Sequence, residues 1–245
     1  MRKRNAPGRR RTLAVMLLTA GIAGLTAAPG SPALAGEYTL DTARSVFAVL
    51  THKAGIAAGL AHDHLIVAAA PTVALEFDRE RPETTRFTFV VAVEALEVDA
   101  PAARAAWKGR LHELGIHSGE LPPVPDSDRL KVRAAMLGAS QLDAAQFPEI
   151  RAEVLGFESA AVKGTGGGPG GTLTLRLTIR GRTLERRMQA TWSEQAGILE
   201  AEAFTELRGR DFGIEPYSTM LGAIRNDDLL HLFVHIVARA PATGG

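Results

Sequence analysis

Cysteine is absent from all 245 residues. That excludes a disulfide framework, a thiolate zinc site and a lipid anchor on an N-terminal cysteine, so burial alone must hold the fold together. No serine nucleophile motif and no paired-carboxylate arrangement occur. The glycine tract Gly164–Gly171 lacks the lysine and following helix that a phosphate loop needs. Nothing repeats at a period of 20 to 50 residues, which excludes a solenoid. The longest apolar stretch, Leu13 to Ala28, is broken by Gly21 and Gly24 and is too short for a membrane span.

That stretch is better read as part of a leader. It follows a basic region (Arg2, Lys3, Arg4, Arg9, Arg10, Arg11) and precedes Ala33-Leu34-Ala35, a small-residue cleavage pattern. Residues 1–35 are therefore expected to be a cleaved export signal of the Sec or twin-arginine type, and 36–245 a single periplasmic domain. Six of the 28 basic residues lie in this leader and no acid does, leaving 22 against 27 and a net charge of −5. A mildly acidic mature chain has no electrostatic footprint for nucleic acid. Its roughly 210 residues suffice for one large domain.

What is present is β-pattern. Ser45 to Thr51 is rich in β-branched and aromatic residues, Leu65 to Phe77 is extended, and Arg86 to Val93 alternates with Phe87, Phe89, Val91 and Val93 on one face. Glu149 to Phe157 follows Phe147-Pro148. Leu173, Leu175, Leu177 and Ile179 alternate against Thr172, Thr174, Arg176 and Thr178, and Met188, Ala190 and Trp192 continue the apolar face beyond Gly181. Ile198 to Leu207 and Leu230 to Ala240 complete about eight strands, which favours a sandwich or barrel. Between them, Val98 to Asp128 is a long proline-bearing excursion of the kind that forms lids. It holds a short helix at 102–111, and a second helix follows from about Ser127 to Leu137, capped by Asp126 with Leu130, Ala134 and Leu137 on one face. Gly164–Gly171 is read as a hairpin tip and Asp227-Asp228 as turn acids.

The densest polar chemistry lies at Thr51 to His64, which holds three of the seven histidines. If extended, His62 and His64 share a face with Asp63 opposite. Three readings stand side by side. One is a metal site of His62, Asp63 and His64 completed by His52, His112, His117 or an acid; another is a set of hydrogen-bonded plugs at an irregular crossing; the third is contact with a lipid headgroup. Around the Gly181 hairpin, Arg180, Arg182, Arg186 and Arg187 form either a solvated turn or an anchor for anionic lipid. Arg210-Asp211 is expected to pin the Phe212-Gly213 turn.

Several of these segments, in this order, resemble the YceI family. They are the opening tyrosine strand with Asp41 and Ser45-Val46-Phe47, the glycine- and histidine-bearing stretch from His52, and Leu96-Glu97-Val98-Asp99. Phe147-Pro148-Glu149-Ile150, Leu177-Thr178-Ile179-Arg180-Gly181-Arg182-Thr183 and Arg210-Asp211-Phe212-Gly213-Ile214 follow. The resemblance covers the mature chain. Ala61-His62-Asp63-His64 and the long excursion depart from the family pattern and leave the ligand's identity open. What the resemblance implies is an all-β, mainly antiparallel, lipocalin-like barrel of about eight strands with one covering helix and a long proline-containing loop. It further implies non-enzymatic binding of an apolar or amphipathic, polyisoprenoid-like lipid, without a cofactor. An eight-stranded barrel can enclose one slender ligand. Phe47, Val49, Phe87, Phe89, Leu175, Leu177 and Trp192 are the expected lining, with His62 and His64 near the headgroup. Peripheral membrane contact and a homodimer fit the same picture.

Overall fold

A computed structural model describes residues 36–118, 120–160 and 169–241. The expected leader and most of the glycine tract lie outside these residues. The strands are β1 (Gly36–Glu37), β2 (Thr39–Leu40), β3 (Val46–Ala54), β4 (His64–Ala68), β5 (Thr72–Phe77), β6 (Arg86–Ala92), β7 (Leu96–Val98), β8 (Glu149–Ser159), β9 (Gly170–Ile179), β10 (Arg182–Gln195), β11 (Ile198–Arg208), β12 (Ser218–Thr219) and β13 (Ile224–Arg239). The helices are α1 (Pro101–Glu113) and α2 (Asp126–Leu137).

Among the described residues the sheet thus has thirteen strands, where the sequence predicts about eight. The difference is one of interruption. β1, β2 and β3 lie along one continuous run, broken near Tyr38 and at 41–45. β4 and β5 form another, and β6 and β7 a third, split by a 3-10 turn at Val93–Ala95. The N-terminal run pairs antiparallel with β5 and β4 on one side and with β13 on the other. β5 and β4 pair with β6 and β7, and the order then proceeds through β8, β9, β10 and β11 to β13. The pairings therefore return to their start, and an antiparallel barrel results, with β12 pairing only with β13. Closure leaves few unpaired edges.

Two of the hairpins are set by local chemistry. Arg180-Gly181 and Ala196-Gly197 each occupy a two-residue turn with both residues at positive φ, the geometry whose twist matches the flanking strands. Arg180 is not a glycine, and its guanidinium donates to the carbonyls of Gly213 and Ala139 across the same barrel end.

Alternation separates an inner face from an outer one, but Val46 to Leu50 is apolar on both. Phe47 and Val49 belong to the interior. Val46, Ala48 and Leu50 join Leu65, Val67 and Phe233 in a second apolar cluster on the outside. α1 and the segment after it cover that outer face through Leu111, Ile116 and Leu121. The excursion is therefore packed against the barrel wall. α1 begins with Pro101, whose missing N–H is no loss there. It ends at Gly115 (φ 69°), where the Ile116 amide reaches back to the Leu111 carbonyl at 2.9 Å and both side chains share the outer cluster.

Three expectations are corrected. Leu130 is exposed, and α2 faces the interior through Val132, Met136 and Leu137, because only its C-terminal half reaches the barrel. Asp126 does not cap α2: the capping position is Pro125, and Asp126 sits in the first turn, paired with Arg129. Asp227 and Asp228 lie within β13, at the irregularity between Asn226 and Leu230. Among the described residues no helix is long and apolar enough to cross a membrane.

Leu111 is fully buried between helix and barrel. Leu111→Ala is expected to cost about 3 kcal/mol by removing side-chain burial and leaving a cavity, read as a lowered midpoint in urea unfolding.

Candidate functional site

The barrel interior holds a cavity of about 270 Å³. Its existence follows from side-chain size. An eight-stranded ring is filled when its inward residues are large. Here Ala152, Ala190, Ala201 and Ala203 take inward positions, and Ala190 and Ala203 face each other directly across the β10–β11 pair. Larger side chains surround this gap. Phe47 packs on Phe89 with ring centroids 4.8 Å apart and on Phe87 at 6.3 Å, while Phe77 meets Trp192 edge-on at 4.9 Å.

Phe47, Val49, Phe87, Phe89, Leu175, Leu177 and Trp192 all border the cavity. His62 and His64 do not. The small residues that make room border it too, as do Met136 and Leu142 from α2 and its following turn, and Tyr217; alternation along a strand does not single out these last three. The alternation of Ala201 and Ala203 along β11 is the sequence signal that corresponds to the small residues. At the end of the barrel near α2 the border turns polar, with Gln141, Glu215, Tyr217, Asn226, Asp227 and Asp228. The chemistry on offer is an apolar sheath with a hydrogen-bonding rim at this end.

The histidine-rich stretch builds something else. The Asp99 carboxylate bonds His64 Nδ1 at 2.6 Å, accepts from the Leu65 amide at 2.9 Å and accepts from Arg104 Nη1. Arg104 also donates to the carbonyls of Asp63 at 3.0 Å and Pro122 at 2.8 Å. Asp63 in turn accepts from the Lys53 amide at 2.7 Å and bonds His117 Nε2 at 2.9 Å. His52 Nε2 meets His231 Nδ1 at 2.9 Å. Asp99, Arg104, His64 and His117 are all buried. The network ties α1 and the excursion to the ends of β3 and β4.

Burial pushes the Asp99 carboxyl up, but the His64 bond, the Leu65 amide and the Arg104 charge outweigh it and hold the group below its ordinary value. Asp63 shows the same balance: burial raises it, and the Lys53 amide and His117 lower it further. Burial and the adjacent His231 lower the His52 imidazole. A second tie fixes α1 to the strands: Arg110 grips Glu202, which also bonds His235 at 3.1 Å. Burial opposes ionisation of Glu202, but His235 and Arg110 bring its carboxyl down to about 2.

A metal centre of His62, Asp63 and His64 finds no support in this geometry. Asp63 and His64 are committed to different partners, and His62 only stands beside His64, ring centroids 6.5 Å apart. Among the described residues no group of three or more candidate ligands converges. Asp99 and Arg104 organise the network, a role the local pattern does not reveal because 35 residues separate Asp99 from its His64 partner. The arginines of the Gly181 hairpin are engaged as well. Arg186 pairs with Asp211 at 2.5 Å and Arg187 with Glu158 at 2.8 Å, while Arg180 holds the Gly213 carbonyl beside buried Phe212.

Comparison with known proteins places these features. The pattern of the YceI-like domain matches residues 38–235. The crystal structure of BcnA from Burkholderia cenocepacia superposes with a TM-score of 0.56 at 13% identity, covering 81% of this chain and 99% of that one. A mutant Campylobacter jejuni YCEI protein gives 0.51 at 10% identity, covering 72% and 84%. A polyisoprenoid binding domain from Saccharophagus degradans gives 0.46 at 10% identity, covering 83% and 98%. No curated protein sequence matches.

The pairings of Glu202 and Asp99 set an acid limit. Both groups titrate lower in the folded chain than in the unfolded one, so their contribution is complete above the unfolded value and lost as pH falls through the folded one. For Glu202 that window runs from 4.5 down to about 2. Thermal melts should show the midpoint falling across it, and Glu202→Gln should lower the midpoint at neutral pH and flatten the fall. Asp99→Ala, which leaves Arg104 buried without its carboxylate, is expected to cost about 3–5 kcal/mol in chemical unfolding.

Proposed function

The chain belongs to the YceI-like family, and from that premise we propose that it is a non-enzymatic binder of an apolar or amphipathic lipid of polyisoprenoid type. The ligand is held in the barrel interior and carried or stored in the periplasm. The observation that carries this reading is the hollow at Ala190 and Ala203, walled mainly by aliphatic and aromatic side chains and edged by a cluster of polar residues at the end near α2. Such a shape suits a slender chain with a small polar head. Each methylene moved from water into the sheath contributes about 0.8 kcal/mol, so a few isoprene units exceed the cost of immobilising the ligand. No covalent step and no cofactor is needed.

The reading assigns Phe47, Val49, Phe87, Phe89, Leu175, Leu177 and Trp192 to the ligand's chain. The polar rim, and not His62 or His64, takes the head. The histidine network is then a structural latch outside the barrel.

Protein purified gently from its native envelope should carry an apolar molecule visible by native mass spectrometry. Emptied protein should take up a long isoprenoid, followed by Trp192 fluorescence in a Trp107→Phe background. Ala203→Phe, which puts a ring into the hollow, should weaken uptake about tenfold or more while shifting stability by only about 1–3 kcal/mol. Wild-type protein that carries nothing and takes up nothing would end this reading.

A further inference from the structure

One surface of the molecule is apolar without being packed. Ile56, Leu60, Met220 and Leu221 are 97%, 74%, 63% and 109% exposed. They sit on two loops, one between β3 and β4 and one between β12 and β13, that are joined into a single tip. The Ala57 amide donates to the Ala223 carbonyl at 2.9 Å, and Ala54 pairs with Arg225. Gly55 (φ 95°) lies so close that a Cβ there would come within 2.5 Å of the Ala223 oxygen. The tip stands on the rim of the cavity. Tyr217 and Asn226, joined by a backbone hydrogen bond at 2.9 Å, border the hollow a few residues from Met220 and Leu221.

Two further observations single it out. Met220 and Leu221 are consecutive non-glycine residues at φ 48° and 54°, a conformation that L side chains adopt at a cost. That cost goes to presenting two large apolar side chains to solvent. Beside them Lys53 and Arg225 are exposed, and among the described residues neither has an ion pair. Of the acids on this rim, Asp63 accepts from the Lys53 amide and bonds His117, Asp227 accepts from the Leu229 amide and Asp228 from the Arg210 amide, while Glu215 is exposed.

We propose that this two-loop tip docks the barrel mouth on the surface of an anionic lipid bilayer. Ile56, Leu60, Met220 and Leu221 sink among the acyl chains, and Lys53 and Arg225 lie at headgroup level. This rests on the lipid-binding reading above. A bilayer fits better than a protein partner because four side chains splayed on two short loops make no flat face. A stable protein interface needs about 800 Å² from each side, whereas a fluid lipid surface accepts separate apolar residues with flanking cations. The position at the mouth lets a ligand pass between bilayer and barrel with little exposure to water.

The test is flotation of the mature protein with vesicles of phosphatidylcholine, alone and mixed with phosphatidylglycerol. Wild type should co-float with the mixed vesicles, more weakly at high salt. Ile56→Asp combined with Leu221→Asp should reduce the bound fraction about tenfold or more, since each buried aliphatic side chain is worth about that factor. Lys53→Glu with Arg225→Glu should abolish the preference for phosphatidylglycerol. Leu221→Gly should raise the thermal midpoint while weakening flotation, which separates lost docking from lost folding. Wild type that does not float, or variants that float equally well, would overturn the proposal. So would a wild-type dimer in light scattering that Leu221→Asp dissociates, since a second copy would then cover the tip. Trp192 fluorescence with a soluble isoprenoid, run in parallel, tells the two readings apart: uptake without flotation overturns the docking alone, and failure of both removes its premise too.

Discussion

The ladder between β13 and the N-terminal run is the constraint on which the other features rest. β13 holds β11 along one edge and β2 and β3 along the other, and so joins the last strand of the chain to the first. Without that pairing the sheet would be open, with unsatisfied edges at both ends and an interior exposed to water. With it, every inward side chain faces other inward side chains, and their summed volume decides whether the middle is solid or hollow. Paired alanines on β10 and β11 leave it hollow.

Closure also sorts the polar groups. A barrel interior that accepts an apolar chain tolerates few unpaired polar groups, and the buried residues of the histidine network lie outside the ring, where α1 and the segment after it meet the wall. Asp99, Arg104, Asp63 and His117 are nearly all hydrogen-bonded to one another or to backbone. Such a network adds little net stability over an apolar packing of equal volume, but loss of one partner strands the others. Its placement gives α1 and its long following segment one register on the barrel, while Leu111 and Trp107 supply the burial.

The two ends of the β3–β4 connection have opposite fates. Asp63 and His64 are drawn into the buried network, whereas Ile56 and Leu60, a few residues earlier, are left bare beside the cavity rim. One loop thus contributes to the latch on the wall and to the apolar tip at the mouth. The basic hairpin at Arg180 to Arg187, for which the sequence allows either a solvated turn or an anchor for anionic lipid, directs Arg180 and Arg186 to the Phe212–Gly213 turn and Arg187 to Glu158.

Period-2 alternation is a local property, and the amino-acid sequence by itself determined what depends on it: the antiparallel β class, the inward set from Phe47 to Trp192, the turn at Gly181 and the presence of α1. The order of family segments, too, was readable without coordinates. Only the tertiary structure decided what depends on distant pairs. It split three runs into shorter strands, aligned Ala190 with Ala203, and brought Asp99 to His64. It also turned Leu130 away from the core and set the Ile56 loop against the Leu221 loop. The physical reason is that a side chain's facing follows from its immediate neighbours, whereas its company follows from which strands the closing of the ring brings together.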